Sequence, residues 1–304
     1  MSEWQWQWWK EETSTLNQTK RADDFRALQG LWDLIRIGHE DYLRSPLFPV
    51  VMSVAFYFTC MVPFTIFDLW GKNWNWIHKY KIQPEKNVTW PACRNAILVI
   101  LWNHCVYILP AAIGQAIWTP PTPLPPVAPT MTEFVLEQVV MLLIFDFQYF
   151  VWHYTHHRVK FLYKHVHSIH HQYYSPFCWV TQYLSPLELI TVGTYTTVLP
   201  WVFNCHVFTT WSFMIVNIII SVEAHIGYDF PFALHNWDPT GIIGGAPKHD
   251  MHHMKPQTNF APFFNHFDKA MGTFWPGLQA GGIKNKKYIE FENNKKMEKA
   301  KKKY

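Results

Sequence analysis

The sequence predicts an all-α integral membrane protein, a transmembrane helical bundle with a cytosolic helical cap that holds a histidine-rich di-metal centre. Three observations carry this reading. Several long stretches are almost free of charge, three tight histidine clusters follow or flank them, and the five cysteines are scattered with no C-x-x-C pair. The last point removes a disulfide scaffold and a zinc ribbon from consideration. With 49% hydrophobic residues and a net charge of only +4 over 304 residues, the distribution along the chain decides its class, and nucleic acid is excluded as a main partner.

Residues 1–46 form a predicted lumenal N-terminal segment. Trp4, Trp6, Trp8 and Trp9 stand among polar neighbours without an apolar core or a small-residue cleavage site, which argues against a signal peptide and suits a membrane interface. Residues 47–275 are expected to form the multi-span domain. Leu47 to Trp70 carries no charge before Asp68 and as a helix would reach roughly 36 Å, enough to cross a hydrocarbon core of about 30 Å. Asn95 to Trp118 is a second span, with Asn103 and His104 turned from lipid. The proline-rich, uncharged stretch after it is a stiff loop, because proline fixes the backbone and lacks an N–H. Phe134 to Trp152 is a third span that ends directly at the first histidine cluster. Pro186 to Val222 reads as a helical hairpin, either two full spans or a shallower re-entrant pair.

Lys72, Lys79, Lys81, Lys86 and Arg94 lie between the first two spans, whereas the proline-rich loop has no basic residue. The positive-inside rule therefore makes the first loop cytosolic, and with it the histidine clusters and the lysine-rich tail, residues 276–304. On this map the sequon at Asn17 is lumenal and open to glycosylation, and that at Asn87 stays bare. Lys301 and Lys302, fourth and third from the end, suit a dilysine signal for retrieval to the endoplasmic reticulum.

The chemistry resides in the histidines. His153 and His157 form H-x-x-x-H; His167, His170 and His171, and again His249, His252 and His253, form H-x-x-H-H. Residues three and four apart share a helix face, so each cluster is expected to aim its imidazoles at one point. Eight imidazoles are twice what a closed tetrahedral zinc site uses, so two ions sharing the set is the economical solution. His225 is expected as a ninth ligand. Without a thiolate nearby or an H-E-x-x-H motif, a protease-type zinc site is unsupported. Imidazole suits iron, zinc, copper or nickel alike, but a site at a membrane surface favours a lipid substrate, whose unactivated C–H bonds need a metal with dioxygen. Asp146, Glu188, Glu223, Asp229 and Asp250 are candidates to accept the outer N–H of ligating histidines. His156 and His165 fall off the shared face; His235 and His266 could reach the centre only through tertiary contact.

With their flanks, these clusters resemble the fatty-acid hydroxylase and sterol desaturase superfamily of membrane di-iron enzymes, from about Phe134 to Thr273. The motifs are W-H-Y-T-H-H-R-V (Trp152 to Val159), L-Y-K (Leu162 to Lys164), H-S-I-H-H-Q (His167 to Gln172), T-Q-Y-L-S (Thr181 to Ser185), S-V-E-A-H-I-G-Y-D-F-P (Ser221 to Pro231) and N-F-A-P-F-F-N-H-F-D-K-A-M-G-T (Asn259 to Thr273). The resemblance is strongest to its sterol side-chain hydroxylases. It implies iron ligands, and so catalytic positions, at His153, His157, His167, His170, His171, His249, His252 and His253. It implies dioxygen and NADPH as co-substrates, with electrons arriving through a microsomal reductase or b-type cytochrome. It implies a sterol substrate, cholesterol, hydroxylated at side-chain carbon 25 in the endoplasmic reticulum membrane. Sterol 4-methyl oxidation or another lipid hydroxylation or desaturation is the alternative chemistry, and a non-catalytic metal-binding scaffold the alternative class. Lys248 stands where relatives often have another histidine, Ile226 replaces a common serine, and the lysine tail is long.

Overall fold

The computed structural model describes residues 26–301, and among them every regular element is helical, with no strand and only two isolated bridges, Lys81 with Tyr228 and Ile243 with Phe264. The tryptophan-rich start, Asn17 and residues 302–304 lie outside the described residues, so the call on glycosylation of Asn17 and most of the retrieval signal fall there too. Four helices are long and apolar enough to cross a membrane.

A short amphipathic helix α1 (Gln29–Arg36) buries Trp32 and leads to α2 (Phe48–Trp70), the first candidate span. The second, α3 (Trp90–Trp118), starts five residues before the expected Asn95 because Thr89 caps it and Pro91 fits its first turn. It is interrupted by a π-helical turn at His104–Ile108 just before Pro110, where an α-helical backbone would lose a bond to the proline. The third, α4 (Met131–Arg158), outruns the expected Phe134 to Trp152 at both ends. Its start is fixed by a capping box between Thr130 and Glu133, and it continues through His153 and His157 to Arg158. The first histidine cluster is therefore the last turns of the span itself.

The hairpin consists of α5 (Pro186–Val202) and α6 (Val207–His225), turned at Asn204 with a left-handed backbone. Only α6 meets the length of a span; α5 has 17 residues. Helix α7 (Gly245–Met254) carries the third histidine cluster and lies almost entirely buried against α6. A lysine-rich helix α8 (Lys286–Lys301) closes the described chain.

The loop after α2 ties the cap to the bundle. The buried Asp68 near the end of α2 pairs with Lys81 at 2.9 Å, and the Lys81 ammonium lies 4.1 Å over the Tyr228 ring. Gln83 donates to Asp250 on α7 at 2.6 Å, and the Ile82 N–H donates to the Gly227 carbonyl. Gly227 has φ +68°, and a Cβ there would stand 2.7 Å from the Pro176 carbonyl oxygen, so both its backbone and its space require glycine.

Candidate metal centre

Nine histidines meet at the end of the bundle where α4 and α6 finish. They divide into two groups whose ligand nitrogens lie within 4.8 Å of one another: His153, His157, His167, His171 and His252 in one, and His170, His225, His249 and His253 in the other. All nine imidazoles singled out in the sequence come together, His225 included.

The division differs from the expectation that each cluster serves one point. His249 and His253 join the second group while His252 joins the first; His167 and His171 go to the first while His170 goes to the second. Helix geometry explains α7. A residue four places on is rotated only about 40° from the first, whereas one three places on is rotated about 60° the other way, so the third and fourth positions diverge by about 100°. The second cluster is not α-helical at all. Tyr163–His167 forms a π-helical turn and His170–Gln172 a 3-10 turn, which re-aim its three rings at two points.

Within the first group the Nε2 atoms of His153 and His167 are 2.9 Å apart, His167 and His171 3.0 Å, His171 and His252 3.1 Å, and His153 and His157 3.2 Å. In the second, His225 and His249 approach to 2.8 Å, His249 and His253 to 3.2 Å, and His170 and His225 to 3.3 Å. The outer nitrogens fix the tautomers. Nδ1–H of His153 donates to the Phe260 carbonyl at 2.6 Å, His252 to Thr258 at 2.6 Å, His225 to Ser221 at 2.7 Å and His253 to Tyr173 at 3.0 Å. His167 donates to the Glu188 carboxylate at 2.8 Å, with neither side chain exposed.

Carbonyls and carboxylates only accept, so each of these rings spends its neutral-form proton on Nδ1 and presents a bare Nε2 lone pair inward. Lone pairs facing each other at 2.9 Å, as in His153 and His167, repel unless a cation lies among them. Protonation does not relieve this: burial first, and the neighbouring imidazoles second, hold His167, His170, His171 and His249 well below the usual histidine range. The donor set therefore fits two imidazole-bound metal ions.

Of the five carboxylates proposed to support the ligands, only Glu188 touches one. Asp146 accepts the backbone N–H groups of Phe263 and Phe264, and Asp250 accepts from Gln83. Asp229 and Glu223 flank His235 at 3.0 and 3.4 Å. Most ligand support comes from backbone carbonyls, which have no sequence signature. His235 lies outside both groups; burial lowers its pKa, but its bonds to Asp229 and Glu223 outweigh that and raise it to about 9. His156 stacks on Trp152 at 3.7 Å, His165 is exposed beside Phe161, and His266 packs on Phe267, all outside the groups.

Lys248 is buried on α7 with its ammonium bonded to the carbonyls of Ala261 and Phe264 and paired with Asp268 at 3.1 Å. Asp268 in turn accepts the N–H groups of Phe260 and Ala261. The position thus carries a clamp on the loop whose Phe260 carbonyl holds His153.

A membrane helical bundle whose mouth gathers nine imidazoles, eight of them buried, around two points defines a class, the membrane histidine-cluster hydroxylases, and the comparisons agree. The fatty acid hydroxylase family matches residues 138–273. The chain is 48% identical to "Cholesterol 25-hydroxylase-like protein 1, member 2" of Danio rerio, over 81% of this chain and 89% of that protein. It is 42% identical to a cholesterol 25-hydroxylase-like protein of Caenorhabditis elegans over 85% of each chain, and 37% identical to the cholesterol 25-hydroxylase of Homo sapiens over 81% of this chain and 90% of that one. No solved structure matches significantly. The chain belongs to the fatty acid hydroxylase family, among its cholesterol 25-hydroxylase-like members, and is a membrane hydroxylase.

Proposed function

We propose that this chain is a di-iron monooxygenase that hydroxylates a sterol side chain, cholesterol at carbon 25, with dioxygen and with electrons from NADPH passed through a microsomal reductase or b-type cytochrome. The observation that carries the reading is the set of nine imidazoles, eight buried and His171 half-buried, several with their proton committed outward, converging on two points at the end of the spans. His153, His157, His167, His171 and His252 would hold one iron, and His170, His225, His249 and His253 the other.

When bound, the irons would activate dioxygen, the oxidant that an unactivated C–H bond demands. The protein's own residues do the rest. Glu188 and the carbonyls of Phe260, Thr258, Tyr173 and Ser221 orient the rings and keep Nε2 free to ligate. Burial of these imidazoles at the end of α4 and α6 keeps bulk water away. The relatives' names support the sterol reading. The basic residues of the first loop, which pack on the cap through Lys81, support a cytosolic site in the endoplasmic reticulum membrane, with Asn17 in the lumen and open to glycosylation.

The test is mass spectrometry of sterols from cells expressing the wild type, His170→Ala or His252→Ala at matched levels. A side-chain hydroxysterol made by the wild type and lost in both variants is the expected result. Consumption of a 4-methyl sterol instead would move the substrate to that alternative, and no new lipid in any sample would overturn the sterol reading.

A further inference from the structure

Beyond the metal centre, a chain of packed aromatic rings, half-buried at Phe67 and buried at Phe230, leads to an exposed apolar segment on the cap. Phe67, in the last turn of α2, lies 6.3 Å from the ring of Trp76 and 6.4 Å from that of Phe230. Phe230 stacks on Phe232 at 5.0 Å with the rings 10° from parallel. These rings lead from the end of a span to the segment 231–243, where Phe232, Leu234 and Trp237 are 71%, 61% and 75% exposed. Leu234, Trp237, Ile242 and Ile243 line a shallow apolar groove in the same segment.

The segment is built, not frayed. The Trp237 indole N–H donates to the Pro231 carbonyl at 2.9 Å, which satisfies its polar edge and leaves the ring outward. Asp238 accepts the N–H groups of Ile242 and Ile243 at 2.6 and 2.7 Å. The charged groups of the segment are engaged within the protein: Asp238 on this turn, and His235 between Asp229 and Glu223. Asn236 and Thr240, also exposed, spend their polar groups on Asp229, Phe230 and Asp238, and the large side chains facing out are apolar, as at contacts with a non-aqueous partner.

Its level in the molecule identifies that partner. Phe67 is three residues from the end of α2, so Phe230 sits at the height where that span ends. At the same end Trp70 closes α2 and Trp90 opens α3, both exposed, as aromatic residues at a membrane–water boundary are. We propose that segment 231–243 is seated in the headgroup layer of the bilayer, extending the lipid-facing surface of the spans, with Phe232, Leu234 and Trp237 as its anchors. The seated segment runs through the Ile243–Phe264 bridge directly into α7, which bears His249, His252 and His253, so contact with lipid and the third histidine cluster are joined by a short, hydrogen-bonded stretch of chain.

Hydroxyl-radical footprinting with peptide mass spectrometry tests this on the wild-type full chain in phospholipid nanodiscs holding one copy each. Trp102, outward in the middle of α3, serves as the lipid-facing standard, and Tyr174, exposed on the cap near Lys255, as the water-facing one. Oxidation of Trp237 and Phe232 as slow as that of Trp102, several-fold below Tyr174, is the expected result. Oxidation of Trp237 at the rate of Tyr174 overturns the proposal. So does protection seen only in discs with two or more copies, which would assign the face to a second chain.

Discussion

Glu188 meets the Nδ1 of His167 at 2.8 Å, and it is the one carboxylate among the described residues that hydrogen-bonds a histidine of the two groups. The bond holds the ring in the tautomer that ligates, and beside a bound cation the carboxylate form would make the ring more basic. Glu188→Gln keeps the shape and removes the charge. It should weaken metal retention by about 10–100-fold, read as metal per chain after dialysis against graded chelator, with secondary structure unchanged. Retention equal to the wild type would remove Glu188 from the site.

Lys248 and Asp268 should behave as one unit. Lys248→Met strands a buried carboxylate, and breaking such a pair costs about 3–5 kcal/mol. The apparent melting temperature in detergent should fall, and metal content with it, because the loop presenting Phe260 to His153 loses its clamp. Lys248→Met with Asp268→Asn should recover part of the loss. An additive double variant would mean that the two side chains act separately.

His235 gives a pH dependence whose sign follows from its raised pKa. The folded value is about 9 against 6.5 for the free group, so its contribution is complete below pH 6.5 and is lost as the pH rises through 9. At 1.36 kcal/mol per unit, the shift is worth about 3 kcal/mol. Apparent melting temperature should therefore decline between pH 7 and 9.5 in the wild type, and the decline should be shallower in His235→Gln. Parallel curves would assign the dependence to other groups.

Gly227→Ala should destabilise the cap by at least the roughly 1–2 kcal/mol of a left-handed backbone, since the methyl group also meets the Pro176 carbonyl. His225 is two residues away, so metal content should drop together with thermal stability. A stable variant with full metal content would show that the junction has more room than its distances imply.

Much of this molecule is written in its sequence, in those features that obey a local period. Charge-free runs marked the helices, and three- and four-residue spacing marked the histidines. The ends of α3 and α4 were misplaced because Thr89 and Thr130 cap helices through a side chain, a signal that apolar counting passes over. The allotment of His170 and His252 to the opposite partners was hidden because it depends on backbone winding after Leu162 and on where α7 packs. The carbonyls behind His153, His252 and His253 were unreadable for a simpler reason: every residue has one.

The sharing of the second and third clusters between both ion positions carries a consequence for assembly. Drawing α7 away would remove His252 from one group and His249 and His253 from the other in a single movement, leaving four imidazoles in the first and two in the second. The two positions are thereby mechanically joined, and a movement of α7 that spares the first, with its four remaining imidazoles, would still strip the second of half its ligands.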